Sequence, residues 1–234
     1  MTSVADMARR LGGMRSLRGL PEALLLELAS RVASRTLEAG DVVFRAGETA
    51  TSFTFVVSGL VKVVRSLPDG TSSIVGLFGP RDSVGDAAVL GRSTYPASAL
   101  VASDRATVLR VDATPVLDSM ARDPSVAAAV NRALLDHTAA LQAKIAVLTA
   151  GSAEQRVATL LLLLAERFGD EDESGSTLIP LALSRPELAS LVGTTPETVI
   201  RTLTRFKKAG WVVTEAEGLA IHAPEKLREI TRGA

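Results

Sequence analysis

The residues best placed to do chemistry lie between Leu183 and Lys208. Glu197 and Arg201 stand four apart, so on a helix they share one face, with Thr198 and Thr202 beside them. A guanidinium can donate twice to one guanine, and a carboxylate can accept from cytosine N4. A short helix exposing this set near its N-terminus could therefore read base edges in a DNA major groove. From Ser184 to Gly210 the charges are Arg185, Arg201, Arg205, Lys207 and Lys208 against Glu187 and Glu197, five minus two, or +3. The whole chain is neutral, with 26 basic and 26 acidic residues, but a local basic patch still attracts phosphate. Ser184, Arg185, Thr194, Thr195, Glu197, Thr198, Arg201 and Arg205 are the candidate DNA contacts. A solvent-exposed i,i+4 ion pair on a small packing unit is the plainer reading of Glu197 and Arg201 alone.

The surrounding pattern sets those residues in two helices. Ser184 is a good N-cap, Pro186 suits an early position, and Glu187 completes a Ser-x-x-Glu capping box. Leu188, Ala189 and Val192 give this first helix a buried side, and Gly193 supplies the turn that leaves it. Thr195 caps a second helix with Pro196 at its first position. Val199, Leu203 and Phe206 form its inner face, which puts Glu197, Thr198, Arg201 and Thr202 outside. Trp211–Glu215 and Leu219–His222 then read as a strand pair, or wing. Upstream, Ala153–Phe168 is an apolar helix, Gly169–Ser176 an acidic surface loop, and Thr177–Leu183 a short strand.

The first half has a different texture. Met1–Ser34 reads as helical, with a start at Leu20-Pro21-Glu22 and Leu24, Leu25, Leu28 and Val32 at helical spacing. Short β-rich runs follow, at 41–45, 52–58, 60–67, 72–77 and 106–112, separated by Gly, Pro and Asp. Pro68-Asp69-Gly70 between two of them is a hairpin signal. Many short strands at regular spacing predict an antiparallel barrel or sandwich. From Pro115 to Leu148 the chain is helical again, with Pro124 near the start of the long stretch. Leu134, Leu141 and Leu148 recur every seven residues. With Val130, His137 and Ile145 they form a short coiled-coil seam, which predicts a homodimer. Ala150-Gly151-Ser152 is a hinge candidate.

Composition excludes several functions. There are no cysteines, hence no disulfide, thiolate zinc site, Cys nucleophile or iron–sulfur cluster. The two histidines, His137 and His222, stand in contexts that support no catalytic triad, and no P-loop or dinucleotide glycine motif appears. An enzyme is therefore not expected, and no catalytic or metal-binding residues are assigned. Met1–Arg10 lacks the apolar core of a secretory signal. The longest apolar run, Leu160–Ala165, falls far short of the ~20 residues needed to cross a bilayer. A cytoplasmic protein without a membrane partner is expected.

The chain resembles the Crp/Fnr (cyclic-AMP receptor protein and fumarate–nitrate regulator) family over nearly its full length. The resemblance is carried by Val192-Gly193 and Glu197-Thr198-Val199-Ile200-Arg201. Gly59-Leu60-Val61-Lys62-Val63, Gly85-Asp86 and Pro96-Ala97-Ser98-Ala99 carry it in the first half. It implies an α+β fold: an N-terminal cyclic-nucleotide-binding-like β-roll (a double-stranded antiparallel barrel), a long dimerisation helix, and a C-terminal winged helix-turn-helix. The corresponding domains are 1–120, 121–150 and 151–234. It also implies a homodimer that binds a palindromic operator in double-stranded DNA and recruits or blocks RNA polymerase. Glu197 and Arg201 would be the main base readers, with Thr195 and Thr198 on phosphate or base edges. Family members often carry Arg before the Glu; here Pro196 cannot donate, so the half-site should differ. The rival reading is a ligand-binding regulatory module whose output is not DNA binding.

The resemblance also places an effector pocket at Gly85, Asp86, Ala87, Ala88, Ala97, Ser98, Thr138, Leu141 and Gln142. In cyclic-AMP binders a Gly-Glu pair holds the ribose and an Arg-Ser pair the phosphate. Here the first pair is Gly85-Asp86, and Pro96-Ala97 occupy the second. A buried phosphate without its guanidinium is poorly compensated. Arg92 is nearby but in the wrong register, and Leu141 and Gln142 stand where binders place hydroxyls against the base. No cofactor is assigned. A cyclic nucleotide lacks its usual arginine, and a haem would have only His137 as an internal axial ligand. A different ligand, such as a cyclic dinucleotide or a metabolite, or control by expression level alone, remains open at this point. An effector between barrel and helix would bias the 134–148 seam and, through the 150–152 hinge, reorient the DNA-binding helices.

Overall fold

A computed structural model describes residues 3–66, 72–173, 175–180, 183–215 and 218–232, with the side chains of Asp136, His137 and Ala140 left out. The chain divides into two compact units, Met1–Ala140 and Leu141–Ala234.

In the first unit two short helices, α1 (Val4–Gly12) and α2 (Glu22–Ala29), precede eight strands. These are β1 (Val32–Glu38), β2 (Val42–Phe44), β3 (Ser52–Ser58), β4 (Val61–Ser66), β5 (Ser72–Phe78), β6 (Ser83–Val84), β7 (Ser98–Val101) and β8 (Arg105–Asp112). They form two antiparallel sheets, ordered β1-β8-β3-β6 and β2-β7-β4-β5. Helix α3 (Asp86–Leu90) lies between β6 and β7, and α4 (Thr114–Met120) follows β8. Strand β8 buries Val108 and Leu109 on opposite faces, so its sheet is covered on both sides. The N-terminal segment is fastened to the roll through a buried carboxylate. Asp82, only 5% exposed, pairs with the Arg15 guanidinium at 3.2 Å and accepts the Gly79 N–H at 2.9 Å. A charge so far out of water must be compensated in this way.

Three expectations change here. Val32–Ser34 are not helical: α2 stops at Ala29, and Val32 opens seven residues of antiparallel pairing with β8. The 115–148 stretch is two helices, α4 and α5 (Pro124–Thr149). Between them Asp123 accepts the Ser125 N–H at 2.8 Å and its hydroxyl at 2.7 Å, a local cap that restarts the helix. Strand β7, joined to both β2 and β4, went unread. The Pro68-Asp69-Gly70 turn lies outside the described residues, though β4 and β5 on either side of it do pair antiparallel.

The second unit follows the end of α5 with α6 (Ala153–Phe168), β9 (Asp170–Glu171), β10 (Thr177–Ile179), α7 (Arg185–Val192) and α8 (Pro196–Lys208). Strands β11 (Val212–Thr214) and β12 (Leu219–Ile221) and helix α9 (Pro224–Arg232) complete it. The small sheet runs β11-β12-β10-β9, so Asp170–Glu171, expected as loop, form its edge. Leu161, Ile179, Val192, Val199, Phe206, Ile221 and Leu227 are fully buried and tie helices to sheet. Among the described residues no helix is long and apolar enough to cross a membrane.

Candidate nucleic-acid interface

Helices α7 and α8 begin as their sequences dictate. Ser184 caps α7: its hydroxyl oxygen receives the Glu187 N–H, and Glu187 Oε2 accepts the Ser184 N–H at 2.8 Å. Gly193 ends the helix at φ 62° and ψ 52°, the left-handed region where a side chain is costly. A Cβ there would also stand 3.2 Å from Leu148 Cδ2, so the turn and the last turn of α5 pack closely. Thr195 caps α8 through the Thr198 N–H, with Pro196 in the first turn. The Arg156 guanidinium donates to the carbonyls of Gly151 (3.3 Å) and Gly193 (3.4 Å), bracing this turn from α6.

The two faces of α8 differ sharply. Val199, Leu203 and Phe206 are buried, and Phe206 packs its ring 5.7 Å from that of Trp211. Glu197, Arg201, Thr204 and Lys208, spaced four, three and four, are exposed along one stripe. Glu197 is held at its foot. Its own backbone N–H and the Thr195 hydroxyl keep the carboxyl below the usual glutamate range, so it is an acceptor at neutral pH. Arg201 stands one turn further along the helix. A fork donor beside a fixed acceptor is the pair that base edges can meet.

Thr194 and Thr198 are half-buried, and Thr198 shares a hydroxyl contact of 3.2 Å with Thr195. Thr202 departs from expectation: at 8% exposure it belongs to the inner face, because it lies between Val199 and Phe206 rather than opposite them. Arg205 pairs its guanidinium with Glu154 of α6, tying the two helices, while its side chain stays 62% exposed. Arg185 donates to the Thr214 hydroxyl at 2.8 Å, linking α7 to β11 of the wing. His222 meets Ser176 Oγ at 3.0 Å. Thr204 was not anticipated and Lys208 only as part of the basic patch, although the i+3/i+4 spacing from Glu197 and Arg201 would have placed both on this face.

On α5, Leu134, Leu141, Ile145 and Leu148 are between 37% and 59% exposed, and Thr138 between them is exposed. The Thr138 hydroxyl is turned back to the Leu134 carbonyl at 3.0 Å. Val130 does not belong to this stripe. It is 4% exposed and packs with Val126 and Ala129 into the core of the first unit, because the opening turns of α5 lie against the roll. The side chain of His137 lies outside the described residues.

In the roll, Gly85 takes φ +85° at the start of α3, and a Cβ there would meet the Tyr95 ring at 2.6 Å. Tyr95 stacks on Phe44 with centroids 3.8 Å apart and donates to the Ser52 carbonyl at 3.1 Å. Asp86 accepts from the Ser83 hydroxyl, which in turn meets Ser16 Oγ at 2.7 Å. Ala87 is exposed, Ala88 and Ala97 are buried, and Ser98 Oγ accepts the Ala46 N–H at 2.9 Å. Pro96 is exposed, and no cation stands at that position. Pro96 and Ala97 thus offer no guanidinium or hydroxyl at the two positions that hold the phosphate in cyclic-AMP binders, and the neighbouring Ser98 hydroxyl accepts from backbone with its own hydrogen still free to donate. A cavity beside Asp86, lined by Leu17, Phe53 and Val116 among others, has room for about 10 Å³, one water at most. Leu141 and Gln142 belong to the second unit and are exposed.

Known proteins match both halves. The family model described as "Cyclic nucleotide-binding domain" matches residues 34–123, and the "Crp-like helix-turn-helix domain" matches 155–230. The "CRP-like cAMP-activated global transcriptional regulator" of Mycobacterium tuberculosis is 30% identical over 193 residues, covering 82% of this chain and 85% of that protein. The "Nitrogen fixation regulation protein FixK" of Bradyrhizobium diazoefficiens is 28% identical, covering 82% of this chain and 78% of its own length. The solved structure of FixK2 from Bradyrhizobium japonicum superposes with a TM-score of 0.72 at 21% identity, over 85% of this chain and 96% of that one, and speaks for the fold. These matches favour a DNA-binding regulator over a ligand-binding module with another output. With a roll at one end and a capped, basic-faced helix-turn-helix at the other, the chain belongs to the Crp/Fnr family of transcription regulators.

Proposed function

We propose that the chain binds a palindromic operator as a homodimer, with one α8 of each protomer in a major groove, Glu197 and Arg201 reading bases, and Thr195 and Thr198 contacting phosphate or base edges. The observation that carries this is the division of α8 into a buried Val199–Leu203–Phe206 face and an exposed Glu197–Arg201–Lys208 face. The α5 stripe of Leu134, Leu141, Ile145 and Leu148 supplies the dimer seam, since knobs at this spacing bury themselves best against a second copy. Two recognition helices on a two-fold dimer meet half-sites about one helical turn apart. Such a dimer recruits or blocks RNA polymerase at a promoter.

The Mycobacterium tuberculosis relative is named for activation by cAMP. In this chain the roll works without a cyclic phosphate held in that way. Pro96 and Ala97 in place of the Arg-Ser pair support this reading. Titration calorimetry of the purified protein with cyclic AMP should give no heat of binding; micromolar affinity would overturn this part. For the dimer, sedimentation of wild type and Ile145→Glu is the test. The wild type should run as a dimer, and the variant as a monomer with weakened operator binding. A wild type monomeric at DNA-binding concentrations would contradict the proposal.

A further inference from the structure

The exposed face of α8 carries one large apolar side chain. Ile200 is 49% exposed, and it is the sole exposed large hydrophobic among the described residues of the second unit outside α5. Successive residues of a helix turn by about 100°. Ile200 therefore falls on the flank of the stripe that holds Glu197, Arg201 and Thr204, three after the first and four before the last. The Thr204 hydroxyl bonds back to the Ile200 carbonyl at 2.7 Å, which keeps this turn regular. A β-branched side chain in a helix is nearly confined to one χ1, so its methyls are held in place.

We propose that Ile200 is a further specificity residue, reading the C5-methyl of a thymine next to the base pair met by Arg201. The inference rests on the placement of α8 in the major groove argued above. In that groove the other three base edges are dominated by hydrogen-bond donors and acceptors, and thymine alone presents a methyl group. An isoleucine pressed against a polar edge would bury donors and acceptors unpaired, at a cost no contact repays. Pressed against the methyl, it removes apolar surface from water on both partners. The roles on α8 then divide: Glu197 and Arg201 supply direction through hydrogen bonds, and Ile200 supplies a preference for thymine over cytosine at one position of each half-site.

The test uses the full-length protein and an operator obtained by selection from random duplexes. Each thymine of the selected half-site is replaced in turn by deoxyuridine, which removes only the methyl. Replacement at one position should weaken binding about fourfold per half-site, and about fifteenfold when both half-sites are changed, the equivalent of one methyl group's burial. In Ile200→Ala the thymine-to-uracil ratio should fall to about one while circular dichroism stays unchanged, since alanine at an exposed helical site keeps the helix. Ile200→Val should retain most of the ratio. A wild-type ratio of one at every thymine, with Arg201→Ala still abolishing selective binding, would overturn the role of Ile200 alone. Failure to enrich any sequence would overturn the placement of α8 itself.

Discussion

Gly193 is where the helix-turn-helix should be most sensitive to one methyl group. Its φ of 62° puts any other residue in the left-handed region, which costs about 1–2 kcal/mol. A Cβ would also stand 3.2 Å from Leu148 Cδ2, a tight contact but with the far end of a flexible side chain. Gly193→Ala should therefore lose about 1–2 kcal/mol, most of it backbone strain. For a unit the size of 141–234 that lowers the melting midpoint by roughly 4–8 °C per kcal/mol. Trp211 is the chain's single tryptophan and packs on Phe206, so its fluorescence follows this unit alone. Repeating the substitution in a Leu148→Ala background separates the two terms: the strain persists and the steric part disappears. A melt unchanged from wild type would refute the claim that the turn requires a left-handed residue. A loss that vanished entirely with Leu148→Ala would show that packing, not backbone, sets the cost.

Other outcomes follow from the same geometry. Phe206→Ala removes a fully buried ring beneath α8 and should cost about 3–5 kcal/mol in denaturant titrations followed by Trp211. Ser184→Ala deletes the capping hydroxyl of α7 and should cost about 1 kcal/mol, with the loss confined to the second unit. Asp112 accepts the Thr114 N–H and hydroxyl, which, with Arg31 nearby, hold its carboxyl below the ordinary aspartate range. A depressed native pKa contributes stability above the unfolded value of about 3.9 and loses it as pH falls through the native one. The stability gap between wild type and Asp112→Asn should accordingly be constant above about pH 5 and close below it, as urea titrations from pH 3 to 7 would measure; a gap that widens in acid would reverse the sign.

The helix-turn-helix was legible because its punctuation is local. A Ser-x-x-Glu box, a left-handed glycine and a Thr-Pro start each specify backbone geometry within four residues, and the structure places all three as read. Where burial depends on distant partners, the pattern was ambiguous. Val130 fits the heptad of Leu134 and Leu141, but heptad spacing does not distinguish a roll packed on the same chain from a second helix, and the roll has it. Val32 continues the helical spacing of Leu24 and Leu28, yet β8 offers it a strand partner seventy-nine residues away at Val111. Arg205 follows Arg201 by one turn and reads as a further DNA contact. Its ion pair with Glu154, on another helix, could not be read from the sequence. In the roll, the substitution of Pro96 and Ala97 could be seen in the sequence. The stacking of Tyr95 on Phe44 against Gly85 could not, because it joins three separate elements.

The measurement that bears most directly on the central claim is the affinity of Arg201→Ala for a selected operator and for random duplex, each against wild type at one salt concentration. If Arg201 makes a bidentate base contact, the variant should lose about 1–3 kcal/mol on the operator and almost nothing on random DNA. An equal loss on both duplexes would make Arg201 a phosphate contact and contradict its assignment as a base reader, and no loss on either would contradict the assignment of α8 as the helix that reads the groove.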